Sequence, residues 1–600
     1  MTSKKTDSIV TKVKQLIGED SLKLKFADII CQQMSNRTIE TLAPKELCEF
    51  IIILYDFFII KHNKESHVYL GQPKIVAPSL TNHLILKMSN PDASHLFITL
   101  EEIMRKYHLR TTRRLHPIIG IIRNKKGDIT DIVSPDQSNE RRSLVFVAFD
   151  SVVNPSLIPI IKKDIEYHMN AVRLAQEDSS KIFQMINQVS KQLEMIPAST
   201  SSEWIRLLKW LNDQNFSFFG GHCIDLSNGK LKINESYGIC LSDSGVKELH
   251  NPSDHLLSHS NNENFIVDRT TIISPIQRFE PLMKVSFKFN SLQYIFYGIL
   301  KRSSMYAKNM DTPIIHKKIR SIFDQRNFLP GSYDYNEVIR IFNDIPKFEI
   351  LRSTNEDLLE MVDFITSITN SNHIQCHKKL NPETNRLVLY FVIPYYLFNV
   401  STVKTITEYI CDHVDYSFHE VLPINAPEKC RIHFHFTLNQ ADTLPDEETI
   451  ERTLTQLVQP WEDQVLTHIT NTDPNLLTSF PNIIEKIPSH YKVRTNPNSA
   501  LRDVHRLLGL NDKDPILFEL FSFDYPKTSE LAGKVSMLLV YHRTKLDLTN
   551  ILPILHNLGI HVIDQITSRF GDSTNTIGYI HAFRILDSNQ KKLNEEIIRE

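Results

Sequence analysis

Glycine is scarce in this 600-residue sequence: 16 glycines occur, and none lies between Gly331 and Gly509. Average usage of about 7% would give more than twice that number. Neither a GxGxxG nor a GxxxxGK[ST] motif is present. Nucleotide phosphates are bound where glycine lets the backbone approach them closely, so the sequence predicts no Rossmann domain and no phosphate-binding loop.

An excess of basic charge, paired cysteines and long apolar runs are also missing. The formal net charge is −2, whereas nucleic-acid and membrane-surface binders need basic residues, so we expect neither partner. The seven cysteines form no CxxC pair, which is typical of reduced cytosolic thiols. Phe50–Ile60, the most apolar run, is much shorter than the roughly 20 residues of a spanning helix and predicts a buried helix. With no secretory signal after Met1, we expect a cytoplasmic protein.

What the sequence does contain is a repeated pattern of short strands around a helix. The clearest unit is a strand, a helix and two strands at Arg386–Ile393, Thr402–Val414, Tyr416–Leu422 and Cys430–Leu438. On its last strand, His433 and His435 alternate with apolar residues, as on a strand with one buried face. We interpret this βαββ unit as an ACT-like sandwich of ferredoxin-like topology.

Two further units follow the same pattern. The first has strands at Leu84–Lys87, Pro117–Arg123 and Ser143–Phe149 around a helix at Leu100–Tyr107, with the turn Asn124–Asp128 joining the last two strands. The other has strands at Ile516–Phe523, Val535–Tyr541, His561–Thr567 and Thr576–Ile585, with the helix Asp547–Leu558 closed by Gly559.

The chain is therefore predicted to be a multidomain α+β protein with three ACT-like sandwiches joined by helical segments. The aromatic cluster Phe216, Phe218 and Phe219 is interpreted as core, inside a largely antiparallel α+β domain. Strong helical spacing is present over Asp446–Thr470. The predicted segments are a helical start (1–65), a first ACT-like domain (66–155), a connector (156–200), the α+β domain (201–305), a connector (306–375), a second ACT-like domain (376–445), a helical segment (446–510), a third ACT-like domain (511–588) and a tail (589–600).

Three local patterns have both a functional and an ordinary interpretation. His433 and His435 are spaced as a metal-binding pair could be, but no third ligand has a fixed spacing, and polar residues alternate on any half-exposed strand. The basic run Arg105–Arg114 could contact phosphate, although such a run is more often a solvated helix end. Neither a GxSxG motif nor a recognisable cysteine nucleophile is present. We predict no metal site and no hydrolase activity.

Short motifs spread along the chain resemble the N-terminal, non-catalytic half of the large bacterial NAD-specific glutamate dehydrogenases. The most specific is Trp210–Gly220, which is similar to the family's W-L-x-D-x-x-F-x-F-x-G segment. The others occur in the family's order at Leu42–Leu47, His116–Gly120, Ser332–Asp334, Ser479–Pro481 and Tyr579–Phe583. Two loops depart from the family, because Asn90–Thr99 replaces an acidic segment and Ile393–Asn399 lacks an arginine-bearing one.

The resemblance implies a regulatory and assembly segment, because the family's catalytic half would begin about where this chain stops. No catalytic residue, metal or cofactor is then expected on this chain, and NAD would bind to the catalytic half. The implied partners are a homo-oligomer or the missing half. The alternative is a free-standing ACT-type amino-acid sensor or scaffold without enzymatic activity.

ACT-like units bind small effectors, often amino acids, at the loop between the first strand and the helix. In the third unit Arg543, Lys545 and Asp547 carry charges suited to an amino-acid zwitterion. The ordinary interpretation is that these side chains cap the helix and stay in water. The sequence thus offers one candidate effector site.

Overall fold

The computed structural model describes residues 4–60, 66–72, 84–150, 153–227, 231–250, 264–368, 373–381, 385–426, 430–440, 443–472, 486–492, 495–511, 515–522, 535–571 and 576–587. In these residues, four antiparallel sheets alternate with layers of helices. The predicted α+β class is confirmed, because antiparallel sheets and helices are both present. The predicted tail 589–600 and the Ser479–Pro481 motif lie outside the described residues.

Four helices cover the first sheet from one side. Helix α4 (Pro44–Phe58) begins where predicted, with Pro44 in its first turn and a Glu46 carboxylate oxygen accepting the Ala43 N–H at 3.0 Å. The predicted buried helix at Phe50–Ile60 is the second half of α4, which ends at Phe58 with Ile59 and Ile60 exposed. The helices are α1 (Lys4–Ile17), α2 (Ser21–Gln33), α3 (Asn36–Thr41) and α4 (Pro44–Phe58).

The first sheet is larger than the predicted βαββ unit. Its spatial order is β1-β2-β6-β4-β5, with β3 also paired to β6. The turn Asn124–Asp128 joins β4 to β5, so the predicted hairpin with Ser143–Phe149 was wrong. The turn itself is stabilised by the Asn124 side chain, which accepts two backbone N–H groups, and by Gly127, which adopts a φ of +82°. The elements are β1 (His67–Gly71), β2 (Leu84–Pro91), α5 (Leu96–Lys106), β3 (Thr111–Leu115), β4 (Ile118–Arg123), β5 (Ile129–Val133) and β6 (Glu140–Phe149).

Strand β6 shows why this sheet has long apolar runs. Leu144, Phe146 and Ala148 pack towards α1, α2 and α4. The alternate residues Val145 and Val147 point to the other face, where α5 and the helix α6 (Ile158–Glu177) cover the sheet. A strand buried on both faces needs no polar alternation, which explains its continuous apolar sequence.

The second sheet has the order β8-β7-β11-β10-β9 and packs against the next layer of helices. The predicted antiparallel pairing is confirmed. Phe216 and Phe219 are buried on opposite faces of β7, and Phe218 is half-buried beside Phe216, so the aromatic cluster is core. The elements are α6 (Ile158–Glu177), α7 (Ser179–Glu194), α8 (Ala198–Trp210), β7 (Phe216–Asp225), β8 (Lys232–Gly238), β9 (Phe265–Ile273), β10 (Pro281–Phe289) and β11 (Leu292–Leu300).

Five short helices separate the second sheet from the third, whose order is β12-β13-β15-β14. Strand β12 was not predicted, because it is a polar, partly exposed edge strand. The connecting helices are α9 (Arg302–Tyr306), α10 (Ile315–Arg326), α11 (Tyr333–Asp344), α12 (Lys347–Arg352) and α13 (Asn355–Ser367). The third sheet has β12 (Gln375–Asn381), β13 (Arg386–Ile393), α14 (Val400–His413), β14 (Tyr416–Ile424) and β15 (Cys430–Leu438).

The fourth sheet repeats the connectivity of the third, with order β16-β17-β19-β18. Its ββαββ sequence is as predicted, and Gly559, with φ +74°, ends the helix. The helical spacing predicted over Asp446–Thr470 is confirmed as two helices, because Pro460 separates them. The elements are α15 (Glu447–Leu457), α16 (Trp461–Thr472), α17 (Ser489–Lys492), α18 (Pro497–Gly509), β16 (Ile516–Ser522), β17 (Ser536–His542), α19 (Leu548–Asn557), β18 (Ile560–Gly571) and β19 (Thr576–Asp587).

The sequence led us to expect no membrane-spanning helix and no disulfide bonds. Within the described ranges, no helix combines the length and apolarity that crossing a membrane requires. All seven cysteines are free, and six of them are buried. The free thiols agree with the absence of disulfides that the scattered cysteines predicted.

Candidate functional site

The third sheet has two chemically different faces. One face packs apolar side chains such as Leu389 and Phe434 against α14 and α15. The opposite face carries Arg431 and His433 and lies against the connecting helices α11 and α12. The sequence predicted a half-exposed strand here, and that prediction was wrong: His433 is 0% exposed, because α12 covers this face.

The buried carboxylate of Glu349, on α12, lies between two histidines of β15. Nδ1 of His433 donates to Oε1 of Glu349 at 2.8 Å, and Nε2 of His435 lies 3.4 Å from the same oxygen. Burial by itself would raise the pKa of Glu349, but the adjacent His433 and His435 rings hold the pKa of that carboxyl well below its ordinary value. Burial, reinforced by the nearby Arg352 guanidinium, lowers the pKa of His435 to about 4.

A second buried carboxylate, Glu420 on β14, bridges two arginines from different segments. Its Oε1 accepts from Nη1 of Arg269 on β9, and its Oε2 lies 3.6 Å from Nη1 of Arg352 on α12. The side chains of these three residues are only 11–12% exposed. Both guanidinium carbons also lie over the ring of Phe348, at 4.1 Å for Arg269 and 5.5 Å for Arg352. Glu420 therefore joins the second sheet, α12 and the third sheet. We call this contact region the junction; its ionisable side chains are those of Glu349, His433, His435, Glu420, Arg269 and Arg352.

Further polar contacts fix α12 at both ends. Lys347, at its start, donates to the Ala307 carbonyl and the Asn309 amide oxygen, both at 2.6 Å. Lys318 donates to three carbonyl oxygens at the other end, those of Ile350, Leu351 and Ser353. A cation at the carbonyl end of a helix is favourable because it satisfies carbonyls that lack an intrahelical partner. Glu349 and Arg352 therefore sit on a helix that is held by hydrogen bonds at both ends.

A cleft of about 780 Å³ opens beside this junction, between β9, the start of α13 and strands of the third sheet. Its charged walls include Arg352 and Arg386, with Asp268 and Asp357 as neighbouring carboxylates. Arg386 donates to Asp268 at 2.9 Å. Its apolar walls include the following aromatic side chains: Trp204, Phe265, Tyr390 and Phe418. Both signs of charge next to aromatic rings suit a small zwitterionic molecule, and the volume is that of an ordinary ligand pocket.

The sequence did not identify the residues of this junction, since its members are far apart in the chain. Arg269 and Glu420 are 151 residues apart, and Glu349 and His433 are 84 apart. The one available signal was the polar alternation on β15. A stripe of His and Arg with apolar residues behind it fits a solvated strand as well as a buried ionic contact.

The three predicted effector residues lie at the loop before α19. Arg543, Lys545 and Asp547 are all exposed, and none of them lines the cleft. The guanidinium of Arg543 donates to the Leu510 carbonyl, and Asp547 is the N-cap residue of α19 without a side-chain cap bond. No group of three potential metal ligands occurs among the residues described, which include His433 and His435.

Two segments match models of one protein family. Residues 312–370 match the model described as glutamate dehydrogenase, helical motif 1, and residues 524–598 match glutamate dehydrogenase, ACT3 domain. The first range contains α10–α13 and therefore Glu349 and Arg352 of the junction. It also lies inside the predicted connector 306–375, and the second range overlaps the predicted third ACT-like domain.

Two curated proteins are similar over most of this chain. The NAD-specific glutamate dehydrogenase of Pseudomonas aeruginosa is 20% identical over 553 residues, which cover 86% of this chain and 34% of that protein. The NAD-specific glutamate dehydrogenase of Halomonas elongata is 19% identical over 525 residues, covering 82% of this chain and 32% of that protein. The chain thus spans about a third of the length of the curated relatives it matches.

Proposed function

We propose that this chain is a regulatory and assembly portion of an NAD-specific glutamate dehydrogenase. That enzyme converts L-glutamate, NAD and water into 2-oxoglutarate, ammonium and NADH. In this proposal NAD binding and catalysis belong to a portion that these 600 residues do not contain. The supporting observation is the coverage: 86% of this chain aligns with only 34% of a curated relative.

The architecture of the matched segments also supports this proposal. The third and fourth sheets share the ββαββ order and the same strand arrangement, and the ACT3 match falls on the fourth. We infer that the first, third and fourth sheets are the three ACT-like units, with no Rossmann domain among them. The scarcity of glycine and the missing GxGxxG motif favour this assignment.

The first test is catalytic. We expect the purified chain to form no NADH from L-glutamate and NAD. A catalytic portion cloned from a relative should co-elute with it on size-exclusion chromatography and gain or change activity when it is added. NADH formation by the chain alone would contradict the proposal. Co-elution without any change in activity would leave assembly as its only role.

The alternative is a free-standing ACT-type amino-acid sensor or scaffold. It is favoured if an amino acid raises the melting temperature of the chain while no catalytic portion associates with it. Under the main proposal the same chain binds a catalytic portion, with or without an effector. The two functions are therefore distinguished by one binding experiment.

If an amino-acid effector binds, the structure offers two places for it. The cleft beside Arg386 is concave and carries both signs of charge, whereas the loop with Arg543, Lys545 and Asp547 is exposed. We propose that the cleft is the effector site and keep the loop as the alternative site. In a thermal-shift screen of the amino acids, the Arg386→Gln variant should lose a ligand-induced shift that Arg543→Gln retains. The reverse result would place the effector at the loop, and exposed Arg105→Gln serves as the control.

A further inference from the structure

A second large cleft lies far from this junction, where the N-terminal helices meet the first sheet. It has a volume of about 710 Å³ and is bordered by α2, α3, α4 and strand β3. Arg113 and Arg114, at its β3 side, belong to the basic run Arg105–Arg114 for which the sequence suggested a solvated surface. Arg37, on α3, reaches the same cleft from the opposite side. The fold thus brings together cations that are distant in the chain.

Two of these three arginines are available to a ligand. Arg114 is paired with Glu101 at 3.2 Å. In the described part of the chain, the guanidinium groups of Arg37 and Arg113 have neither an ion-pair nor a hydrogen-bond partner. Glu46, the acidic residue of the lining, uses a carboxylate oxygen to accept the Ala43 N–H. The cleft consequently has an excess of positive charge.

The remaining lining decides what kind of anion fits. The hydroxyl hydrogens of Thr41 and Thr112 are already donated to the backbone carbonyls of Thr38 and Ala148. The charged donors for an anion are the arginines, whose planar groups match carboxylate and phosphate oxygens. The neutral donors of the lining are the Gln33 amide and the hydroxyl pair of Ser35 and Thr38, which share one hydrogen bond at 2.8 Å. The floor is apolar: Leu42 and Leu115 are buried, and the ring of Phe50 meets that of Phe146 edge-to-face at 5.0 Å.

We infer that this cleft binds a small organic oxyanion, a carboxylate or a phosphate ester with an apolar body. Its charged group lies between Arg37 and Arg113, and its apolar part lies on Phe50 and Leu42. The volume is within the range of small-molecule pockets and far exceeds that of inorganic phosphate. A bound ligand would tie the N-terminal helices to the sheet. This site does not depend on the proposed dehydrogenase function.

The experiment uses the full chain and four probes: benzoate, phenyl phosphate, inorganic phosphate and phenol. Isothermal titration calorimetry should detect benzoate or phenyl phosphate binding that is at least about tenfold tighter than binding of inorganic phosphate or phenol. Binding of both aromatic anions indicates a general oxyanion site, and binding of one alone identifies its charged group. Equal binding of phenol, or no binding of either aromatic anion, would overturn the inference.

Variants locate the binding. Arg37→Gln and Arg113→Gln should each lower the affinity for the more tightly bound probe about tenfold, because each substitution removes a charge-assisted contact. Arg141→Gln removes another exposed arginine of the first sheet, outside the cleft, and should leave the affinity unchanged. Circular dichroism melts of all three variants check that the fold is intact. If Arg37→Gln and Arg113→Gln bind as tightly as Arg141→Gln does, the site is elsewhere and the inference fails.

Discussion

Replacing Glu420 with alanine is expected to destabilise the junction of the second and third sheets by about 3 kcal/mol. The substitution leaves Arg269 and Arg352, each 12% exposed, beside the ring of Phe348 without their shared carboxylate. Arginine cannot escape this cost by releasing a proton, so Arg352 loses its carboxylate contact at 3.6 Å and Arg269 keeps only the weaker contact with Glu280 at 4.0 Å. The loss of stability should be largest in the strands β9 and β14 and the helix α12, because these are the elements that Glu420 connects.

Hydrogen–deuterium exchange of the full chain measures this loss without assuming two-state unfolding. Amides of α12 and β14 should exchange about a hundredfold faster in Glu420→Ala than in the wild type. The control is Glu408→Ala on the exposed face of α14, where the ion pair with Lys404 at 3.5 Å is worth less than about 1 kcal/mol. Glu420→Gln keeps the shape and removes the charge. Exchange no faster than in Glu408→Ala would show that the arginines need no carboxylate.

Acidification from pH 6.5 to pH 4 is expected to weaken the same junction by about 3 kcal/mol through His435 alone. The unfolded chain takes up this proton near the ordinary histidine value of 6.5, whereas burial and Arg352 lower the folded-state pKa to about 4. The stability supplied by neutral His435 is therefore complete above pH 6.5 and is lost as the pH falls to 4. Glu349 faces the same ring; because its folded-state pKa is lowered, its own contribution is lost only below its ordinary value of 4.5.

The His435→Gln variant should have a flatter pH profile of amide exchange in β15 than the wild type has. Local exchange is the appropriate measurement, because burial also lowers the pKa values of His95 and His581 to about 4 elsewhere in the chain. His413→Gln, at the exposed end of α14, is the matched control. Identical profiles for the wild type and His435→Gln would contradict the role assigned to His435.

The junction gives the proposed function a physical basis. The segment that matches glutamate dehydrogenase helical motif 1 contributes Glu349 and Arg352, and the second and third sheets contribute their partners. Breaking a buried ion pair costs several kcal/mol, whereas an exposed one costs little. A ligand in the adjacent cleft would therefore act on a contact strong enough to set the positions of three segments.

Sequence patterns predicted some elements well and others poorly, for identifiable reasons. The fourth sheet was predicted almost strand by strand, since its strands are apolar and end at clear turns. Strand β12 was missed because its edge position leaves it polar, and β5 was missed because it is short and half-exposed. The wrong hairpin at Asn124–Asp128 had a correct turn but a wrong partner strand, because turn chemistry is local and pairing is not.

The sequence by itself determined the α+β class, the ββαββ order of the fourth unit, the free cysteines and the alternation on β15. Each of these depends on residue type or on periodicity over a few positions, which local physics fixes. Only the tertiary structure decided that His433 is buried against Glu349, that Glu420 holds two arginines, and that Arg37 and Arg113 share a cleft. These facts depend on contacts between segments up to 151 residues apart, where the desolvation and pairing of charge follow from packing rather than from sequence spacing.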